Sequence, residues 1–212
     1  MLTQEVSDSS GYSFTADYVS PHLAVWSRVL GPHAQRTTRM LEIGAYEGRS
    51  TVWFLANVLA QAESELTCVD IFSEARWELR FDHNVQISGA AAKVRKVKGR
   101  SGDLLPGLPA NHYDVIYVDG SHEAGDVLLD ALLCWPLLKP DGILIFDDYL
   151  WMPGLPPSQR PQLAIDLFLH WTAGRYELLH QEYQLIIRKH DSNDASDAAA
   201  SAPHIRDNRA HE

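Results

Sequence analysis

Residues 41–50, Leu-Glu-Ile-Gly-Ala-Tyr-Glu-Gly-Arg-Ser, decide how the rest of the chain is read. Met40–Ile43 is a short apolar run of strand length. It gives way at once to a loop, Gly44-Ala45-Tyr46-Glu47-Gly48. Behind the loop, Val52, Leu55, Ala56 and Leu59 recur at helical spacing. A strand that turns through two glycines into a helix is the opening unit of an α/β sheet. Gly44 permits a tight turn, and Gly48 lets the helix begin close to a ligand. The free N–H groups at that helix start favour an anion such as a carboxylate or phosphate. The spacing is G-x-x-x-G. It is not the dinucleotide pattern G-x-G-x-x-G, because Tyr46 stands where the second glycine belongs.

Outward from this loop the alternation continues. Upstream, residues 1–19 read as a loose polar arm. Ser20-Pro21 opens a helix carrying Leu23, Trp26 and Leu30, and Gly31-Pro32 stops it. Downstream, Leu66–Ile71 is a second strand, residues 73–90 are helical and Val94–Val97 is a third strand. Tyr113–Val118 is a fourth strand, followed by a Leu-rich helix over 123–134. Lys139-Pro140-Asp141-Gly142 has turn chemistry, and Ile143–Phe146 is a fifth strand. A Pro-rich loop leads to a helix over 162–172. Tyr176–Leu179 and Tyr183–Arg188 close the chain as a hairpin. Strand-helix alternation of this kind predicts an α/β fold: a doubly wound, mostly parallel seven-stranded sheet with an antiparallel terminal hairpin.

The 212 residues suffice for one domain, over 20–190. Asp191–Glu212 has six Ala and three Ser and cannot bury a core, so it reads as a disordered tail. That tail holds five acids against two arginines, which leaves −7 of the net charge of −10 on the body. An acidic body disfavours a nucleic-acid partner. The basic run Lys93, Arg95, Lys96, Lys98, Arg100 reads as a solvated strand flank. Cys68 and Cys134 sit in apolar runs and read as reduced core thiols, which fits the cytoplasm. No apolar run reaches membrane-spanning length, and the first residues lack the charged and apolar regions of a signal peptide. Trp26, Trp53, Trp135 and Trp171 read as core on helix faces.

Asp70 ends the second strand, 26 residues after Gly44, and suits a ribose diol, since a carboxylate accepts from both hydroxyls. That chemistry serves a nicotinamide oxidoreductase as well as other nucleoside users.

Five motifs, LEIGAYEGRS, CVDIF, GRSGD, VDGSH and GILIFDDY, occur here in order. Together they resemble the class I S-adenosylmethionine-dependent methyltransferases. Within them the chain is most similar to the metal-dependent small-molecule O-methyltransferases, the catechol O-methyltransferase-like group and the related branch that methylates sugars and antibiotic scaffolds. The resemblance covers roughly residues 20–190. It implies that Glu42 and Gly44 line the methionine end of S-adenosylmethionine and that Tyr46 and Ser50 hold its amino-carboxylate end. It implies Asp70 on the ribose, Ser101 beside the adenine and Ile71 packed on the ring. A homodimer is common among such relatives.

Asp119 ends the fourth strand, and Asp147 and Asp148 end the fifth. In the usual strand order of this fold these strands are neighbours, so three carboxylates converge. Clustered anions repel unless a cation sits among them. An all-oxygen donor set suits Mg²⁺ or Mn²⁺. The plain alternative is that the pair ends a strand and caps a loop, as metal-free relatives also retain acids here. His122 stands where the catechol group carries its catalytic lysine and would act as general base beside Asp119. Trp151 and Met152 fall where a substrate lip would be. The expectation is methyl transfer to a small-molecule hydroxyl, with no membrane partner. A metal-free methyltransferase, a nicotinamide enzyme and a non-catalytic cofactor-binding protein are the alternatives.

Overall fold

The computed structural model describes residues 11–190 and the backbone of the pair Val6–Ser7. The chain runs through β1 (Val6–Ser7), β2 (Ser13–Phe14), α1 (Leu23–Leu30), β3 (Arg39–Ile43), α2 (Arg49–Asn57), β4 (Glu65–Asp70) and α3 (Ala75–Ile87). It continues through β5 (Val94–Lys98), α4 (Ser101–Leu104), β6 (Tyr113–Val118), α5 (Ala124–Leu137), β7 (Leu138–Phe146), α6 (Pro161–Trp171), β8 (Tyr176–Gln181) and β9 (Leu185–Lys189). Seven strands form one sheet in the order β5-β4-β3-β6-β7-β9-β8. The first five are parallel, and β9 runs antiparallel between β7 and β8. The doubly wound sheet with its antiparallel hairpin is the one expected.

Alternation along each strand explains the two layers. Leu41, Ile43, Ile116, Val118, Leu144 and Phe146 pack on one face with α5 and α6. Met40, Val115, Tyr117, Ile143 and Ile145 pack on the other with Trp26, Phe54 and Phe81. Strands buried on both faces read as continuous apolar runs, which is why they were visible in the sequence. Cys68 and Cys134 are buried and unpaired. No helix among the described residues is long and apolar enough to cross a membrane.

Four readings change. The Pro-Asp-Gly turn lies inside β7. Pairing with β6 jumps from Tyr113↔Leu138 to Val115↔Ile143, so the extra residues bulge out, with Asp141 at φ +59°. Trp171 is 52% exposed rather than core, because α6 turns that side outward. The helix after β6 runs beyond Cys134 and through Pro136. The segment before α1 is not loose over the described part. The Ser13 N–H donates to Asn84 Oδ1 at 2.8 Å, Asn84 Nδ2 donates back to the Ser13 carbonyl at 2.9 Å, and the Thr15 hydroxyl donates to Glu47 at 2.9 Å. Glu47 is buried and also takes Arg80 at 3.0 Å. The tail read as disordered lies outside the described residues.

The strand order reverses between β3 and β6, and the loops leaving those strands meet there. Gly44 has φ +83°, and a Cβ on it would lie 2.0 Å from the Asp119 carbonyl oxygen. Gly11 has nearly the same angle, φ +85°, with open space around it. Gly44→Ala should therefore destabilise by more than about 4 kcal/mol, whereas Gly11→Ala should cost only the backbone strain of about 1–2 kcal/mol. Urea unfolding of both variants separates clash from strain, and equal costs would refute the close-approach account.

Candidate active site

A two-lobed cleft opens at the switch point, beyond the carboxyl ends of β3, β4, β6 and β7, where open α/β sheets bind ligands. The larger lobe has a volume of about 870 Å³ and the smaller about 410 Å³. Gly44, Asp70, Ile71 and Gly120 line both, so the lobes are continuous.

The glycine loop is held from below and from the side. Asp70 Oδ2 accepts the N–H of Ala45 at 2.7 Å and of Tyr46 at 2.9 Å, and Oδ1 accepts the Phe72 N–H at 2.6 Å. Asp70 thus fixes the loop as well as facing the cleft. Tyr46 takes φ +48°, an uncommon angle for a non-glycine residue, and its ring packs on Trp77 at 5.1 Å. Gly48 caps α2 at φ +81° against Phe81 and lies off the cleft walls.

Glu42 and Ser50, which the resemblance placed on the cofactor, lie underneath the loop instead. Glu42 is fully buried and accepts hydrogen bonds from the hydroxyls of Ser50 and Thr51 (2.6 Å to Thr51) and from Cys68 Sγ at 3.3 Å. Both point inward because the side chain of Glu42 projects to the α1–α3 face of β3. Burial raises the Glu42 carboxyl to about 7, against the pull of its three donors.

The acids meet as the strand order requires. Val118 pairs with Phe146 in β6 and β7, so Asp119 and Asp147 leave neighbouring strands side by side. One oxygen from each of Asp119, Asp147 and Asp148 lies within 4.8 Å of the others. The Tyr117 hydroxyl stands between two of them, 3.0 Å from Asp119 Oδ2 and 2.9 Å from Asp147 Oδ1. A phenol has one proton to give, so both contacts are met together only when one carboxyl is itself protonated. Burial, with the charges of Asp147 and Asp148, pushes Asp119 well above the usual carboxylate range. Burial and Asp148 push Asp147 to about 6. Gln184 Nε2 also donates to Asp147, while its Oε1 accepts from Trp26 Nε1 at 2.8 Å. Either a proton or a cation balances this cluster.

His122 is at the cleft mouth. Its Nε2 is 2.9 Å from Asp148 Oδ2, and its ring stacks on Trp151 at 4.4 Å. The bond to Asp148 raises the proton affinity of the imidazole. The Tyr183 hydroxyl donates to the other Asp148 oxygen at 2.9 Å. Met152 is exposed and lies off the cleft walls, at φ +45°.

In the smaller lobe Ser101 and Ile71 line the wall, with Ile71 53% exposed. Ser101 also bonds Asp130, which burial raises to about 6. Sequence reasoning did not find Tyr117, Gln184 or Tyr183, and it named none of Asp17, Tyr18, Pro21 and His22, which form an N-terminal wall. Asp17 is clamped by Arg49 through two 2.7 Å bonds, which seats that wall. Tyr117 sits in a run that reads as pure core, and only its position two residues before Asp119 hints otherwise.

Glu42 yields a stability test. Its folded value of about 7 exceeds its ordinary 4.5, so the folded state binds more protons between those limits. The contribution is fully present below about pH 4.5 and is lost as pH rises through about 7, a swing on the order of 3 kcal/mol. Glu42→Gln should therefore gain stability relative to the parent from about pH 5 to about pH 8. A pH-independent difference in denaturation midpoint would contradict the buried-acid assignment.

Comparison with known proteins agrees with this geometry. The family model described as "Methyltransferase domain" matches residues 41–149, from the glycine loop to the acidic pair. The O-methyltransferase hkm8 of Aspergillus hancockii is 27% identical over 117 residues. That alignment takes in 54% of this chain and 44% of hkm8, so the match spans less than half of that relative's length. Among solved structures, the O-methyltransferase from Bacillus cereus in complex with SAH superimposes with a TM-score of 0.66 at 17% identity, over 82% of this chain and 83% of that one. The MycE methyltransferase of the mycinamycin biosynthetic pathway, in complex with Mg, SAH and mycinamycin VI, gives 0.60 at 15% identity, over 91% and 54%. At those identities the likeness is one of fold. The sequence match covers more than half of the chain and both motif-bearing loops, which sets the nicotinamide alternative aside. The chain belongs to the methyltransferase-domain family and is built on the class I methyltransferase fold.

Proposed function

We propose that this chain transfers a methyl group from S-adenosylmethionine to a hydroxyl of a small molecule, with Mg²⁺ or Mn²⁺ held by Asp119, Asp147 and Asp148. The observation that carries this reading is that the acidic trio and the glycine loop open into one cleft. The donor set suits the ion: every ligand atom is a carboxylate oxygen, and the three lie within 4.8 Å of one another. The acidic balance of the chain and its buried free thiols support a small-molecule substrate and a reducing, cytoplasmic setting.

The cofactor supplies an electrophilic methyl on a sulfonium sulfur. Its nucleoside end fits the smaller lobe, beside Ile71 and Ser101, and Asp70 offers its remaining lone pairs to the ribose. A divalent cation on the three carboxylates would bind the substrate oxygen and lower its pKa. His122 faces the same space and takes the hydroxyl proton at Nδ1, while Asp148, on Nε2, and Trp151 fix its ring. Trp151 and the Asp17–His22 wall orient the acceptor, and alignment supplies much of the acceleration.

The donors already present on Asp147, from Tyr117 and Gln184, favour a second reading in which the acids are balanced by a proton and transfer needs no metal. Chelation decides between them. Methyl transfer should stop in EDTA and return with Mg²⁺, and Asp147→Asn should abolish the Mg²⁺-stimulated rate; full activity in EDTA selects the metal-free reading.

Two further outcomes are expected. S-adenosylhomocysteine at about 100 times its Kd should stabilise the protein by about 2.7 kcal/mol in thermal shift, and NAD should not. His122→Ala should lower kcat by about 10²–10⁴-fold with S-adenosylhomocysteine affinity unchanged by calorimetry. Equal loss of rate and affinity would remove His122 from the base role.

A further inference from the structure

The smaller lobe holds a buried acid that the chemistry above does not use. Among the described residues its walls include Asp70, Asp103, Asp126 and Asp130. Three of these are accounted for. Asp70 accepts the N–H groups of Ala45, Tyr46 and Phe72. Asp103 and Asp126 are exposed and solvated, and Asp126 Oδ2 also takes the Ser121 hydroxyl at 3.0 Å. Asp130 differs. It lies one turn beyond Asp126 on α5 and is only 2% exposed. A Cβ placed on Gly120 would meet Asp130 Oδ2 at 3.5 Å, so that oxygen lies against the backbone that both lobes share.

A carboxylate has room for about four hydrogen bonds, and burying it costs free energy unless donors replace the lost water. The Ser101 hydroxyl donates to Asp130 and pulls its proton affinity down. Burial outweighs that pull, with help from the like charge of Asp126, and the carboxyl rises to about 6. At neutral pH the group is therefore mostly ionised and short of donors. The walls beside it are apolar: Ile43, Val69, Ile71 and Leu129. Ile71 and Leu129 are both about half exposed, which leaves flat apolar surface open in the lobe. Gly102 keeps that surface clear, since a Cβ there would lie 3.1 Å from Leu129 Cδ2. Apolar walls with one buried acceptor suit a planar ring that carries an N–H donor on its edge.

We propose, resting on the reading above that puts the nucleoside end of the cofactor in this lobe, that Asp130 selects the base by accepting a hydrogen bond from the exocyclic amine of adenine. Ser101 is then a positioning residue for that carboxyl. A charge-assisted bond of this kind is stronger than a neutral one. A base without the amine leaves a buried carboxylate unpaired, and a site built around such a bond rejects the analogue that cannot make it.

The test is calorimetry on the full chain with two ligands: S-adenosylhomocysteine, and its analogue in which purine, lacking the amine, replaces adenine. The parent should bind the purine analogue about tenfold or more weakly. Asp130→Ala should lower the affinity for S-adenosylhomocysteine by about the same factor and bind the two ligands equally. Asp130→Asn keeps a carbonyl acceptor without the charge, so its preference should fall between those of the parent and the alanine variant. A purely structural role for Asp130 would weaken both ligands alike and leave the preference intact, which overturns the proposal. Should the alanine variant not fold, Asp130→Asn decides, and a preference equal to the parent's overturns the assignment. Equal binding of the two ligands by the parent overturns it as well, and leaves the methyl-transfer reading standing. Failure of the parent to bind S-adenosylhomocysteine at all refutes both.

Discussion

The ends of β3 and β6 approach so closely that a single methyl group on Gly44 would lie 2.0 Å from the Asp119 carbonyl oxygen and 2.8 Å from the Gly120 Cα. Gly120 reciprocates, since a Cβ there would meet Ile43 at 3.0 Å. This contact brings the glycine loop of one strand against the acidic tip of the next. The two lobes of the cleft share Gly44 and Gly120, so the ligand-binding trough exists because these two backbones touch. Asp70 completes the arrangement from the far side by holding two N–H groups of the loop.

On that frame sits a cluster of three acids, each of which accepts from a neighbouring side chain: Tyr117, Gln184, His122 or Tyr183. Tyr117 anchors it from the core: its ring packs edge-on against Trp26 and Phe54, and its hydroxyl reaches both Asp119 and Asp147. Gln184 extends the network from Asp147 to the indole of Trp26. Holding several carboxylates in a partly dry site costs stability, and packed sheet ends can impose it because the strands fix where the side chains stand. A site built this way responds strongly to whatever cation or proton balances it.

Much of the frame was legible because the strands are buried on both faces. Val115–Val118 and Ile143–Phe146 are unbroken apolar runs, and their acidic ends mark where apolar side chains give way to the site. The chemistry at Lys139–Gly142 reads as a turn between elements, and the structure absorbs it instead as a bulge within β7. Trp171 follows helical spacing and is nevertheless half exposed, because periodicity gives a face and not what covers it. Glu42 and Ser50 carry the motif and are buried beneath the glycine loop. In a strand, side chains alternate between faces, and which face a polar residue takes depends on the helices packed there.

The sequence by itself determined the alternation of elements, the glycine turn after β3 and the acids at the ends of two strands. Those follow from local conformational preference and from period-two burial, which act over a few residues. Only the tertiary structure decided that the Tyr117 hydroxyl bridges two of the acids and that Glu42 is sealed under the glycine loop. It also decided that residues 17–22 come back to wall the cleft, through the Asp17–Arg49 clamp. These contacts join positions far apart in the chain, and their partners are selected by packing, which no local pattern encodes.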